Sequence, residues 1–149
     1  MKSKKYHISV ICAALFSSLA IAQPAKEEWP VPAEANKLVN PLGAMQPNET
    51  SKKIYQSYCM PCHGDKGFGD GACGISLDPR PYNLTIKKVE NETDGSLFWR
   101  ISNGHLSMPT FSGSLTEIQR WQMVVYIRYL QQEAENEKIA KANKKSKNK

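Results

Sequence analysis

Several features are scarce in this sequence, and each absence narrows what the chain can be. The longest apolar stretch, residues 8–22, is short for a transmembrane helix, which needs about 20 apolar residues. No alternating run of apolar and polar residues is long enough to indicate a strand, which favours an all-α fold. No basic stripe with interleaved aromatic residues crosses the body of the chain, so nucleic-acid binding has little support. Only three cysteines follow residue 22: Cys59, Cys62 and Cys73.

The N terminus has the pattern of a secretory signal peptide. Three lysines precede residues 8–22, and an Ala-Ile-Ala cleavage site ends at residue 22. We therefore predict that residues 1–22 are a signal peptide and that the protein is exported. An uncleaved N-terminal anchor is the alternative, and the short apolar stretch argues against it.

Charge is unevenly distributed along the chain. The formal net charge is +6. Residues 23–137, however, contain 11 basic and 14 acidic residues, a net charge of −3, while residues 138–149 carry six lysines and no acid. We predict a Pro-rich N-terminal arm at residues 23–45, one domain at residues 46–134 and a basic disordered tail at residues 135–149.

Three segments have the pattern of helices. The first covers about residues 49–58 and can be capped by Asn48 or Thr50. The second covers about residues 94–103. The third begins at a capping box opened by Thr116 and continues with apolar residues at three- and four-residue spacings.

The first predicted helix leads into residues 59–63, Cys-Met-Pro-Cys-His, which have the C-x-x-C-H spacing of c-type haem attachment. One helical turn places Cys59 and Cys62 on the same side, so both thiols can form thioethers to one haem. His63 then offers its imidazole to the iron. A thiol-disulfide pair would need a strand-to-helix context that the sequence lacks, and a zinc site would need a second ligand pair.

An iron held by His63 has a sixth position, for which His105, Met108 and Met123 are candidates. Met108 precedes a proline in a non-helical segment, which restrains its backbone and favours it as the ligand. Met123 lies among apolar residues within a helix, so core packing is the better interpretation. The glycine-rich stretch from residue 64 is long for a compact domain, and we expect it to pack on the haem.

These residues resemble those of a class I cytochrome c, most closely the small bacterial monohaem type also found as modules of respiratory complexes. The resemblance covers about residues 50–132. It implies a cytochrome c fold of three to five short helices around one covalently bound haem c, with the first and last helices crossing. Ser51 stands where the family usually has glycine at that crossing, so we expect a looser crossing. Tyr55 matches a family aromatic that would contact residues 123–126.

Arg80 fits a haem propionate, because a guanidinium matches carboxylate geometry, although a solvated loop arginine is an equal alternative. The leading hypothesis is an electron-transfer protein rather than an enzyme, in which His63 and Met108 fill both axial positions of the iron. It would carry single electrons between respiratory-chain partners in the periplasm. The alternatives are a subunit of a larger membrane-associated redox complex and a peroxidase-like enzyme with His105 as acid/base. The basic tail suggests weak contact with a membrane surface or an acidic redox protein.

Overall fold

The computed structural model describes residues 29–148, and this part of the chain is all-α and contains no strand, as predicted. A π-helical turn, Tyr55–Cys59, joins the first α-helix to the second, and a short 3-10 helix, Ala35–Lys37, lies upstream. The signal peptide predicted for residues 1–22 lies outside the described residues. The helices in chain order are α1 (Glu49–Ile54), α2 (Met60–His63), α3 (Lys87–Glu90), α4 (Asp94–Asn103) and α5 (Glu117–Lys147).

Side-chain caps fix where the main helices begin. Asn48 Oδ1 accepts a hydrogen bond from the Ser51 amide, and Ser51 Oγ accepts one from the Asn48 amide, both at 2.9 Å. Thr116 and Gln119 form the same reciprocal pair at the start of α5. Such pairs satisfy amide groups that no preceding helical turn can reach. The capping box predicted for α5 is confirmed, and Asn48 is the residue that caps α1.

The core lies where α1 and α4 contact α5. Tyr55 stacks on Tyr126 with ring centroids 4.5 Å apart, as the family resemblance implied. Ser51 is fully buried, and its hydroxyl is bonded back to Asn48. The N-terminus of α1 therefore satisfies the extra hydroxyl, and α1 and α5 remain in contact. Met123 is also fully buried, which agrees with core packing.

The start of the glycine-rich loop after α2 packs on α2 itself. The amides of Gly69, Gly71 and Cys73 donate to the last three carbonyls of α2. A Cβ on Gly71 would lie 2.4 Å from the Pro61 carbonyl oxygen, so only glycine allows this approach. The loop thereby satisfies carbonyls that would otherwise lack partners at the helix end.

The N-terminal arm, as far as the structure describes it, is folded against α4. The 3-10 helix Ala35–Lys37 contacts α4 at Gly95, where a Cβ would lie 2.0 Å from the Ala35 carbonyl oxygen. Farther upstream, Arg100 of α4 donates a hydrogen bond to the Trp29 carbonyl at 2.8 Å. The arm is therefore attached to the domain at two points along α4.

The C-terminal segment differs from its prediction. The sequence predicted disorder from residue 135, whereas α5 continues to Lys147. Lysine and alanine are good helix formers, and Lys138 and Lys141 form ion pairs with Glu135 and Glu137 along the helix. Among residues 29–148 no helix is both long enough and apolar enough to cross a membrane.

Candidate haem site

One cavity of about 530 Å³ brings together all five side chains that the sequence singled out for cofactor binding. This volume lies within the ~300–1,000 Å³ typical of small-molecule and cofactor sites. Its walls are mostly apolar and come from the arm, the attachment turn (residues 59–63), residues 77–84, α4 and the loop before α5. The five predicted residues that line it are Cys59, Cys62, His63, Arg80 and Met108.

Cys59 and Cys62 lie at the end of the π-helical turn and within α2. The π turn widens the backbone just before the first cysteine, because the Met60 amide bonds to the Tyr55 carbonyl five residues back. Burial, with a smaller effect of Cys62, raises the pKa of the Cys59 thiol to about 12. Redox-active cysteines instead have a lowered pKa, so this environment does not favour thiol-disulfide exchange.

The imidazole of His63 is oriented by a backbone carbonyl. Its Nδ1 lies 3.0 Å from the Tyr82 carbonyl oxygen, which can only accept a hydrogen bond. Nδ1 therefore carries the proton, and Nε2 of the neutral ring has its lone pair available for a metal. Burial lowers the pKa of His63, which also favours the neutral form. An outer partner that fixes the tautomer in this way is usual for metal-ligating histidines.

Met108 lies in a tight loop between α4 and α5. Its backbone forms two hydrogen bonds with His105, one in each direction and both 2.9 Å long. Gly104 opens the loop with a φ of +65°, and a Cβ there would lie 2.5 Å from the Met108 carbonyl oxygen. His105 and Met123, the other candidates for the sixth ligand, also line the cavity. Met123 differs in being buried within α5.

The cavity residues that sequence reasoning missed include Trp29, Tyr82, Lys88 and Arg100. Each reaches the cavity through the tertiary fold, and no local spacing marks them. Arg100 forms an ion pair with Glu92 at 2.7 Å, whereas Arg80 is exposed at the cavity edge. Trp99 of α4 does not line the cavity.

The residues present fit a haem c. Two thiols lie one helical turn apart at the same cavity as a neutral imidazole with its Nδ1 already bonded. Thioether sulfur from Met108 or Met123 is available as a second axial donor, and arginine and lysine side chains offer partners for the propionates. The apolar walls suit a porphyrin face.

Comparison with known proteins identifies the family. The model for cytochrome c oxidase, cbb3-type, subunit III matches residues 46–127. The chain belongs to this family. It is therefore a c-type cytochrome, as the sequence resemblance indicated, and the family implies covalently bound haem c. Its fold and family make it a haem-bearing electron-transfer protein.

The chain also resembles solved structures. The chain is similar to a chain of the Kuenenia stuttgartiensis reducing HAO-like protein complex Kustc0457/Kustc0458, with 25% sequence identity and a TM-score of 0.50. That similarity covers 69% of this cytochrome and 51% of the other chain. This cytochrome therefore spans about half the length of that relative. No curated protein matches it.

Proposed function

We propose that this cytochrome is an exported, periplasmic monohaem protein that carries single electrons between redox partners. In this proposal Cys59 and Cys62 attach the haem, and His63 and Met108 hold its iron. The observation that carries the proposal is the presence of the C-x-x-C-H turn and the Met108 loop at one apolar cavity. A His/Met pair leaves no coordination position open for oxygen or peroxide.

Bound haem c supplies an iron centre that exchanges one electron. The protein contributes position and environment. The Tyr82 carbonyl keeps the His63 ring in one tautomer and one orientation. The apolar walls exclude water, and the paired backbone of His105 and Met108 limits movement of the methionine. None of these roles requires a catalytic acid, base or nucleophile.

The test is the mass and visible spectrum of the purified holoprotein and two methionine variants. We expect one covalently added haem and a low-spin spectrum with the far-red band of an iron–sulfur bond. Met108→Ala should abolish that band, bind added imidazole and lower the midpoint potential. Axial ligation sets haem potentials over about 0.8 V, so the shift should be on the order of a tenth of a volt.

Met123→Leu separates the two candidate sulfur ligands. The substitution conserves volume, so the core should tolerate it. Under the proposal Met123→Leu keeps the far-red band. Loss of the band in Met123→Leu with retention in Met108→Ala would transfer the ligand role to Met123. Rapid peroxide turnover by the wild-type protein would favour the peroxidase-like alternative.

A second candidate function is that of a dedicated subunit in a larger redox complex. Two observations favour it: the family model is that of an oxidase subunit, and the similar solved chain comes from a two-component complex. Purification of the tagged protein from its native membrane and periplasmic fractions separates the two functions. Co-purification of stoichiometric partners supports the subunit, whereas recovery as a monomer supports the free carrier.

A further inference from the structure

We propose that the N-terminal arm braces the Met108 loop and that Trp29 is a positioning residue for the sixth iron ligand. The inference rests on the proposed function, because it takes Met108 as that ligand. Trp29 lies upstream of residues 46–127, which match the family model, so the brace adds a wall to the cavity from outside the shared domain.

The first step is the construction of the Met108 loop. His105 and Met108 are joined by their two backbone hydrogen bonds, and Leu106 between them has a φ of +52°. This backbone region is uncommon for a residue other than glycine, so the loop needs outside contacts to keep its shape. Any contact that fixes the His105 side chain therefore also fixes the segment that carries Met108.

Trp29 provides such a contact. Its ring stacks on the His105 imidazole, with centroids 5.1 Å apart and an angle of 19° between the planes. Aromatic pairs in this arrangement attract each other beyond the effect of burial alone. Trp29 also lines the cavity together with Met108. The arm thus contacts the loop through the Trp29 ring.

Arg100 holds Trp29 in turn. Its guanidinium carbon lies 4.7 Å from the centre of the Trp29 ring, and its Nη1 donates to the Trp29 carbonyl at 2.8 Å. Arg100 Nε is bonded to Glu92 Oε2 at 2.7 Å, and both side chains are mostly buried. A cation bonded to a carboxylate and placed over a ring has little freedom to move.

A second anchor keeps the arm in place along α4. Asn40 Nδ2 donates to Asp94 Oδ2 at 2.9 Å, and the Ala35 carbonyl lies close against Gly95. Asp94 is also paired with Arg128 of α5 at 2.9 Å. The contacts therefore run from the helical core through the arm to Trp29, and from Trp29 through His105 to Met108.

The test compares Trp29→Ala with Trp29→Phe in the holoprotein, where Phe keeps a ring for His105. Binding of imidazole to the oxidised protein reports how readily Met108 leaves the iron. We expect Trp29→Ala to bind imidazole about tenfold more tightly than wild type, the factor that corresponds to 1.4 kcal/mol. Trp29→Phe should restore at least part of the difference. Amide hydrogen exchange at residues 105–108 should accelerate in Trp29→Ala.

Two control variants separate positioning from general stability. Asn48→Ala removes the cap of α1, far along the chain from the loop, and should lower stability without changing imidazole affinity. Val39→Ala alters an arm residue that is 84% exposed and should change neither quantity. An equal gain in imidazole affinity in Asn48→Ala would overturn the proposal.

The outcomes also separate this inference from the ligand assignment. If wild-type protein lacks the far-red sulfur band, or keeps it in Met108→Ala, the ligand assignment fails and the inference fails with it. If the band depends on Met108 but Trp29→Ala has wild-type imidazole affinity and wild-type hydrogen exchange, the positioning role of Trp29 is wrong and Met108 remains the ligand. If both measured quantities change in Trp29→Ala and recover in Trp29→Phe, the brace is supported.

Discussion

At the scale of single residues, the attachment turn is held by contacts to backbone carbonyls. The Tyr82 carbonyl orients His63, and the Tyr55 hydroxyl donates to the Gly64 carbonyl at 2.8 Å, directly after α2. Burial is the main reason that the pKa of Tyr55 is raised, which keeps its hydroxyl protonated as a donor. Both contacts lie at the C-terminal end of the turn, where they hold His63 and the residue that follows it.

Gly71 allows the loop to approach the attachment turn, and we predict that Gly71→Ala is strongly destabilising. Its Cβ would lie 2.4 Å from the Pro61 carbonyl oxygen and 2.6 Å from that of Met60, and backbone atoms cannot rotate away. Crowding of this kind costs about 1–3 kcal/mol. Guanidinium unfolding of the holoprotein measures the loss.

Gly113→Ala is the matched control for this prediction. A Cβ on Gly113 meets no atom within 4 Å, and its φ lies outside the left-handed region. We expect the free energy of unfolding to stay the same or rise by less than about 1 kcal/mol. Equal stability of the two alanine variants would contradict the packing explanation.

The sequence identifies some residues of the site and misses others. The C-x-x-C-H turn is predictable because its chemistry depends on neighbours within one helical turn, and all five predicted residues line one cavity. Tyr82 and Trp29 were missed, since one acts through its backbone and the other through a ring contact 76 positions away along the chain. The spacing of side chains in a sequence reports neither kind of contact.

At the scale of helices, local sequence signals predicted where helices begin better than they predicted where α5 ends. The bounds of α4 and the capping box of α5 agree with the sequence because caps and apolar spacing act within a few residues. The extension of α5 past residue 134 was missed. One of its contacts, the ion pair between Lys66 and Glu137, joins residues far apart in the sequence, so no local rule predicts it.

The Lys66–Glu137 ion pair predicts that the order of the C-terminal part of α5 depends on pH. The hydrogen bond from Lys66, followed by its charge, holds the pKa of Glu137 below its ordinary value. The pair therefore stabilises the helix above that ordinary value, about 4.5, and the contribution is lost as pH falls through the lowered pKa. We predict that acidification from about pH 6 to about pH 3 frays residues 138–147. NMR chemical shifts of these residues report their helicity.

Substitutions separate the effect of this ion pair on helicity from the effect of protonating the other acidic residues of α5. In Glu137→Gln, the chemical shifts of residues 138–147 should already indicate a frayed helix at neutral pH. These shifts should change less on acidification than those of the wild type. Glu133→Gln, an exposed acid of the same helix, should behave like the wild type. The midpoint of global unfolding should stay unchanged in both, because exposed ion pairs contribute little to overall stability. Identical shifts in wild type and Glu137→Gln at neutral pH would contradict the role of the pair.

At the scale of the whole molecule, charge is separated between an acidic body and a basic helix end. Residues 23–137 have a net charge of −3, and the six lysines of residues 138–149 follow without an acid. Lys138, Lys141 and Lys145 lie on one face of α5 at three- and four-residue spacings, and all three are exposed. The long helix thus carries a basic face beyond the domain that holds the haem cavity.

This separation predicts salt-sensitive binding to anionic membranes through the helix end. Each lysine near an anionic surface contributes about 1 kcal/mol, roughly fivefold in affinity. Replacing Lys138, Lys141 and Lys145 by Gln should therefore weaken binding of residues 23–149 to phosphatidylserine vesicles by about 100-fold at low salt. The same three positions changed to Arg should retain binding. Because the Debye length falls from about 30 Å at 0.01 M salt to about 8 Å at 0.15 M, the difference should shrink as salt is added.

The matched control replaces three exposed lysines of the acidic body, Lys52, Lys53 and Lys87, by Gln. An equal loss of vesicle binding in this control would show that binding depends on net charge and not on the basic face of α5.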